Sequence, residues 1–162
     1  MTMTREQFIS HVKSTQQAFR RFLVALCCGN AQLADDIAQE AYIKAYMTSD
    51  SFDNPGKFRA WIYKIGYNTF LNCRRDEKIT VDYEEAKSIA AEERTDAAFN
   101  YQSLYDALDR LPAKERVSII LFYMENYSIK EIAGMTETSS DAVKQHLSRG
   151  RKHLRNLLTD KN

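Results

Sequence analysis

The scarcity of glycine and proline is the strongest constraint on the fold of this chain, because its 162 residues include only five Gly and two Pro. A fold built from β-strands needs many turns rich in these two residues, so their scarcity argues against it. Long segments instead repeat apolar residues every three or four positions, which is the spacing of one helix face. The sequence therefore predicts an all-α fold.

The N-terminal half contains three predicted helices. The first ends at Gly29 and Asn30, which are typical C-terminal stop signals. The second covers about 31–46, and the third covers about 58–75 after a polar loop at 48–57. Their apolar stripes predict a helical bundle with a core that includes Phe19, Leu23, Ile37, Ala41, Trp61 and Ile65.

The net charge is only +1, but the charges are unevenly distributed along the chain. Residues 76–96 contain eight Asp or Glu against three Lys or Arg, and their apolar periodicity is poor. Residues 139–162 contain six Lys or Arg against two Asp. We therefore predict two small helical domains, at 1–76 and 99–162, that are joined by an acidic linker at 77–98.

The C-terminal segment has the pattern of a helix-turn-helix, in which a short helix, a turn at Gly134 and a longer basic helix follow one another. Ser128 and Glu131 have the spacing of a capping box at the start of the short helix. Thr138 and Asp141 give a second, weaker N-cap signal for the long helix.

A helix of this kind can lie in the major groove, with its first turns at base edges and its cations at phosphates. The candidate base contacts are Lys144, Gln145 and Ser148, and the candidate phosphate contacts are Arg149, Arg151, Lys152 and Arg155. The alternative is a solvated amphipathic helix with surface cations. His146 and His153 lack a third metal-ligating partner, so we interpret them as surface or phosphate-facing side chains.

The third predicted helix combines aromatic, amide and cationic side chains. Aromatic rings stack on unpaired bases, amides can read a base extruded from the duplex, and cations hold the backbone of the strand. The candidates for such binding are Lys64, Tyr67, Asn68, Asn72, Arg74 and Arg75, with Phe52 in the preceding loop. For Tyr67 and Asn68, an ordinary exposed helix face is the alternative.

Several motifs occur in a characteristic order. A helix with DDIAQEAYIKAY is followed by a loop that opens with SF and by a helix with FRAWIYKIGYNTFLN. The acidic segment follows, and after it come LPAKER, YSIKEIAGM and AVKQHLSRGRKHLR. In this order and at this spacing, the chain resembles the extracytoplasmic-function (ECF) sigma factors of bacterial RNA polymerase, from about Phe8 to Leu158.

The resemblance implies a function and a set of contacts. Such a protein brings RNA polymerase core to promoters and helps to open them. By position, the residues that dock on the polymerase clamp are Asp36, Gln39, Glu40 and Lys44. Phe52, Asn68 and Asn72 match the part that captures a flipped base of the −10 element, and Lys64, Arg74 and Arg75 would lie near its backbone. The linker matches the segment that threads through the polymerase, and residues 99–158 match the domain that reads the −35 element.

The sequence departs from the usual family pattern at a few positions. Gln145 and His146 stand where Ser and Arg are common, and Asn72 stands where Asp is common. The loop has Asn54-Pro55-Gly56 in place of a Gly-rich acidic run. These changes concern the promoter sequence that is recognised.

The resemblance also implies control by an anti-sigma factor. We expect no enzymatic activity, cofactor, metal or small-molecule substrate, because no nucleophile–base pair or carboxylate pair stands out. Cys27, Cys28 and Cys73 lack metal-ligand spacing and are typical of buried thiols in a reducing cytosol. Without an apolar run of about 20 residues, we expect no membrane insertion and a cytoplasmic protein.

Two other functions fit part of the sequence. A conventional helix-turn-helix regulator with its own operator would account for the C-terminal half, but not for the aromatic–amide helix. An all-helical adaptor that binds only protein would not bind DNA at any salt concentration.

Overall fold

The computed structural model describes residues 3–52, 55–77 and 102–159, and of Pro55 and residues 75–77 only the backbone is described. Within these ranges the chain forms seven α-helices and no strand, which confirms the all-α prediction. Apart from residue 77, the predicted acidic linker at 77–98 lies outside the described residues.

The helices follow one another in two groups. The N-terminal unit, as we call the first group, consists of α1 (Arg5–Leu26), α2 (Ala31–Met47) and α3 (Phe58–Glu77). The C-terminal unit consists of α4 (Gln102–Asp109), α5 (Ala113–Ile119), a π-helical turn (Ile120–Met124), α6 (Ile129–Thr136) and α7 (Ser140–Thr159). Two short 3₁₀ turns, Ser49–Ser51 and Pro55–Lys57, lie between α2 and α3.

Helix starts follow from the polar residues that precede them. The predicted capping box of α6 is present, since the Ser128 N–H donates to Glu131 Oε1 at 3.0 Å and the Glu131 N–H donates to Ser128 Oγ at 3.1 Å. Helix α7 is capped by Ser139, whose Oγ accepts from the Ala142 N–H at 3.0 Å. The prediction of a cap at Thr138 was wrong by one residue, because the Thr138 hydroxyl instead pairs with that of a nearby threonine.

The bend between α1 and α2 uses left-handed backbone. Cys28 has a φ of 55° and Gly29 a φ of 91°, and glycine adopts the latter without steric cost. Asn30 then begins α2 by accepting from the Leu33 N–H. The predicted stop at Gly29 and Asn30 is therefore close to the observed end of α1 at Leu26.

The three helices of the N-terminal unit pack around a shared hydrophobic core. Phe19, Leu23, Ile37 and Ala41 are fully buried as predicted, whereas Trp61 and Ile65 are only partly buried. Fully buried Phe22 and Tyr63 form a parallel stack with centroids 4.5 Å apart. These contacts hold α3 against α1.

The C-terminal unit is built on the contact between α5 and α7. Val117 and Ile120 are fully buried, and so is Val143 of α7. The backbone of α7 approaches closely at Gly150, where an added Cβ would lie 3.0 Å from Ile119 Cγ1. No helix among the described residues is long and apolar enough to cross a membrane.

The two units pack directly against each other, and one hydrophobic cluster includes residues of both. Arg116 of α5 is buried and donates to the carbonyl oxygen of Leu26 at the end of α1, over 2.9 Å. Glu125 of the C-terminal unit pairs with Arg21 of α1 and Arg59 of α3. The structure is therefore a closed arrangement, in which the C-terminal unit covers part of the N-terminal unit.

Candidate DNA and polymerase interfaces

The short helix α6 and the long helix α7 form the predicted helix-turn-helix. The turn between them lies at Glu137, whose φ of 56° is left-handed. Gly134 was predicted at this turn but lies inside α6, which continues to Thr136. A glycine inside a helix lowers the stability of the helix by only about 1 kcal/mol, which packing can offset. Gly134 therefore does not mark the end of α6.

Helix α7 has one buried face and one exposed face. Val143, Leu147 and Gly150 are buried against the rest of the C-terminal unit. All seven residues predicted to contact duplex DNA are exposed: Lys144, Gln145, Ser148, Arg149, Arg151, Lys152 and Arg155. The Arg151 guanidinium also donates to Tyr123 Oη at 3.0 Å, which orients it without burying it.

The two histidines of α7 contact the C-terminal unit itself. His153 Nδ1 lies 2.7 Å from Glu115 Oε1, so this pair joins α7 to α5. Burial lowers the pKa of His146, and the nearby charges of Lys114 and Arg149 lower it further. The His153–Glu115 contact helps to hold α7 against α5.

On α3, the predicted amides lie on the solvent side. Asn68 and Asn72 are exposed and one helical turn apart, so their side chains share a face. Lys64 lies one turn earlier on the same side, and its Nζ is 3.1 Å from Glu137 Oε1 of the helix-turn-helix. This face of α3 is therefore open at one end and in contact with the C-terminal unit at the other.

Tyr67 is buried, with 4% of its surface exposed, so the expectation that its ring is free to stack on a base is wrong for this arrangement. Burial raises the pKa of Tyr67. Phe70 is buried as well, and the guanidinium groups of Arg74 and Arg116 both lie 5.7 Å from its ring centroid. Tyr67 and Phe70, three residues apart, thus form an apolar packing stripe.

Arg74 and Arg75 are the two remaining cations of the predicted −10 set. Arg74 is partly buried, and its Nη1 has no hydrogen-bond partner within the described residues. Arg75 belongs to α3, but its side chain lies outside the described residues.

Phe52 lies at the edge of a cavity. Its ring stacks on Trp61 with centroids 4.4 Å apart and an interplanar angle of 12°. The cavity has a volume of about 480 Å³, and α6 forms its opposite wall. Its lining residues are Phe52, Lys57, Ala60, Trp61, Lys64, Lys130, Glu131, Gly134 and Met135. An aromatic ring edge with nearby lysines is chemically suited to an unpaired base and its phosphate.

The predicted polymerase-docking face of α2 is mostly open. Asp36, Gln39 and Glu40 are exposed. Lys44 is less free, because its Nζ donates to Thr69 Oγ1 of α3 at 3.4 Å and lies 3.6 Å from Glu40 Oε1. Lys44 thus contributes to packing between α2 and α3 as well as to the surface.

The same face carries apolar side chains that were not predicted as contacts. Ile43 and Met47 are 61% and 76% exposed. Positions 36, 40, 43 and 47 are three or four residues apart and therefore lie on one helix face. The spacing from Asp36 and Glu40 could thus have indicated Ile43 and Met47 as further contacts. Exposed apolar residues beside charged ones are typical of a protein-binding surface.

Comparison with known proteins identifies the family. The family described as Sigma-70 region 2 matches residues 2–79, and Sigma-70, region 4 matches residues 101–154. The chain is 33% identical over 148 residues to the ECF RNA polymerase sigma factor SigW of Bacillus subtilis, with 82% of this chain and 79% of that protein covered. The chain belongs to the ECF sigma factors. RNA polymerase sigma factor SigV of the same organism is 30% identical, and the match covers 96% of this chain and 93% of SigV.

Solved structures show the same fold. The sigma factor RpoE, crystallised with the anti-sigma factor NepR from Bartonella quintana, matches with a TM-score of 0.73 at 24% identity, over 94% of this chain and 96% of that one. CnrH, in complex with the cytosolic domain of CnrY, matches with a TM-score of 0.71 at 22% identity, over 98% and 92% of the two chains.

As a member of this family, the sigma factor directs RNA polymerase core to promoters, and its partners are the core enzyme and promoter DNA. The family assignment agrees with the order of the motifs. The Sigma-70 region 2 match contains the exposed faces of α2 and α3, and the region 4 match contains the helix-turn-helix except for the last residues of α7.

Proposed function

We propose that the ECF sigma factor reads its promoter with two separate surfaces. The exposed face of α7 binds duplex DNA at the −35 element, with Lys144, Gln145 and Ser148 at base edges. Its phosphate contacts are Arg149, Arg151, Lys152 and Arg155. The observation that carries this proposal is that all seven side chains are exposed on one helix while the opposite face is buried.

The second surface is α3 with the preceding loop, which would hold an unpaired base of the −10 element. Asn68 and Asn72 supply amides for the edge of the base, and Phe52 with Trp61 supplies aromatic surface. The remaining residues of this DNA-binding surface would contribute when the C-terminal unit does not cover α3: Lys64, Tyr67, Arg74 and Arg75. Extruding a base costs a few kcal/mol, and stacking returns about 1–3 kcal/mol per base.

The face of α2 docks on the polymerase clamp through Asp36, Gln39, Glu40 and Lys44, and we add Ile43 and Met47 to it. Sigma factors are not enzymes, so the sigma factor would supply binding energy that favours the melted promoter, while polymerase performs the chemistry. We also propose an anti-sigma factor as a partner, because a sigma factor of the same fold, RpoE, was solved in complex with the anti-sigma factor NepR.

The test is transcription in vitro with purified core polymerase, with start sites mapped on genomic DNA. The expected result is a holoenzyme that starts transcripts at discrete sites that core polymerase alone does not use. A conventional helix-turn-helix regulator would bind DNA without joining core polymerase, and an all-helical adaptor would not bind DNA. Either of these outcomes would overturn the proposal.

A further inference from the structure

The cavity beside Phe52 has the size and the lining of a small-molecule site. Its volume of about 480 Å³ lies within the range of about 300–1,000 Å³ that is usual for ligand pockets. The stacked rings of Phe52 and Trp61 form one wall, and Ala60 and Met135 add further apolar surface. The cavity therefore offers aromatic surface on which a planar ligand can stack.

The charges around the cavity favour an anion. Among its described lining residues, three are lysines and one is a glutamate: Lys57, Lys64, Lys130 and Glu131. Lys64 pairs with Glu137 at 3.1 Å, whereas Lys57 and Lys130 are exposed, so their ammonium groups can turn toward a ligand. The charged groups of the lining thus leave an excess of positive charge at the cavity.

Glu131 is the one carboxylate among the described lining residues, and it is already engaged. Its Oε1 accepts from the Ser128 N–H in the capping box of α6. The hydrogen bonds from Ser128 lower the pKa of Glu131, and the charge of Lys57 lowers it further. Lys57 therefore acts across the cavity on the wall that α6 forms, as it would on a bound anion.

The wall formed by α6 leaves room for a ligand at Gly134. A Cβ added to Gly134 would have no heavy atom within 4 Å, and the residue is exposed. Since Gly134 lines the cavity, a longer side chain at this position would fill part of its space. The absence of a side chain at Gly134 therefore keeps this part of the cavity open.

We infer that this cavity binds a free purine nucleoside polyphosphate, with the base on the aromatic wall and the phosphates at Lys57 and Lys130. A purine has a larger ring system than a pyrimidine and therefore stacks over more area. Lysine ammonium groups bind phosphate as point charges. Because the aromatic wall belongs to the N-terminal unit and Lys130 to the C-terminal unit, the nucleotide contacts both units.

An unpaired base of a DNA strand has the same chemistry, but the shape of the cavity favours a free nucleotide. A strand has to enter and leave the cavity, and α6 forms the wall opposite the rings of Phe52 and Trp61. A single nucleotide needs only one opening. The inference thus concerns a ligand other than the promoter and goes beyond the proposed function.

The test uses Trp61, which is the single tryptophan of the chain and lines the cavity. ATP added to the full-length wild type without Mg²⁺ should quench this fluorescence and saturate, and isothermal titration calorimetry should give the same Kd. Adenosine and tripolyphosphate carry the base and the charge separately, and each should bind at least about tenfold more weakly than ATP. If tripolyphosphate binds as tightly as ATP, the site is only a general attraction of anions and the inference is overturned.

Two variants of α6 test the position of the ligand. Gly134→Leu fills the cavity and should weaken ATP binding by more than about tenfold, and Lys130→Ala should weaken it by about five- to tenfold. Circular dichroism checks that both variants are folded, and the exposed position of Lys130 covers the case in which Gly134→Leu is not. The matched control is Lys13→Ala, which removes an exposed lysine of α1 outside the cavity lining and should bind ATP like the wild type.

The inference is overturned if ATP does not bind the wild type, or if it binds the folded α6 variants as tightly as the wild type. Either result would leave the proposed function intact, because Gly134 and Lys130 belong to neither of the proposed DNA-binding surfaces. Failure of the wild-type holoenzyme to start any transcript would instead refute the proposed function and would leave the nucleotide site standing.

Discussion

Arg116 Nη1 donates to the carbonyl oxygen of Leu26 over 2.9 Å, so a buried cation of the C-terminal unit closes the end of α1. The same guanidinium donates to the carbonyl oxygens of Leu108 at 2.9 Å and Asp109 at 3.0 Å. The C-terminal ends of two helices, α1 and α4, thus meet at one planar group, which donates to carbonyls in their last turns.

Arg116→Lys should lower the free energy of unfolding by about 3 kcal/mol, because one ammonium group cannot reach the carbonyls that the guanidinium fork bridges. Urea denaturation of the full-length protein measures this change. Arg20→Lys is the matched control, since Arg20 is in an exposed ion pair and should change stability by less than about 1 kcal/mol. Equal effects of the two substitutions would contradict the role of Arg116.

The glycines of α3 and α6 should respond in opposite directions to alanine. At Gly66, a Cβ would lie 2.6 Å from Phe19 Cε1 and 3.3 Å from Leu23 Cδ2, so Gly66→Ala should destabilise the protein by about 1–3 kcal/mol. At Gly134, nothing lies within 4 Å of the added atom, and the helix propensity of alanine should stabilise it by about 0.5–1 kcal/mol. Thermal unfolding of both variants checks the signs, and a stabilised Gly66→Ala would refute the close approach of α3 to α1.

Local signals in the sequence predicted the helices well, because caps and periodicity are short-range. The capping box at Ser128 and Glu131 and the buried stripe through Phe19 and Leu23 are both present. The role of the aromatic residues of α3 was harder to predict, since periodicity shows which residues share a helix face but not what packs on that face. Tyr67 was interpreted as a surface for DNA, whereas in the closed arrangement the face is packed.

The contacts between the units could not be predicted from the sequence. Arg21 and Glu125 are 104 residues apart, and no spacing rule links them. Arg116 lies in the LPAKER motif, where a charged residue gives no sign that it will be buried. The domain boundaries at 76 and 99 and the assignments of individual DNA contacts stay predictions.

Ser128→Ala should cost about 1 kcal/mol of stability, because it removes the side chain that caps α6. The hydrogen bonds from the Ser128 backbone and hydroxyl lower the pKa of Glu131 below its ordinary value of 4.5. The stabilisation from this carboxylate is therefore complete above pH 4.5 and is lost as the pH falls through the lower folded-state pKa. An NMR titration should show the pKa of Glu131 still lowered in the variant, because the backbone N–H at position 128 keeps donating to the carboxylate, and a complete return to the ordinary value would contradict that half of the capping box.

Asn68→Ala should reduce promoter opening while leaving core polymerase binding intact, because the amide lies on α3, away from the exposed face of α2. The loss of one hydrogen bond to a base corresponds to about a tenfold change in opening, measured by permanganate reactivity of the melted region. Gln17→Ala, which removes an exposed amide from α1, is the control. Loss of core binding in the Asn68 variant would place this residue on the polymerase interface instead.

The double substitution Arg149→Ala with Lys152→Ala should weaken −35 duplex binding and flatten its salt dependence, since both cations lie on the exposed face of α7. Each phosphate contact contributes about 0.9 to the slope of log affinity against log salt, so two lost contacts reduce it by about 1.8. Arg5→Ala with Lys13→Ala removes two exposed cations from α1 and should leave the slope unchanged. If the slopes of the two double variants are equal, the cations of α7 act only through the general field of the protein, and the phosphate contacts assigned to α7 are wrong.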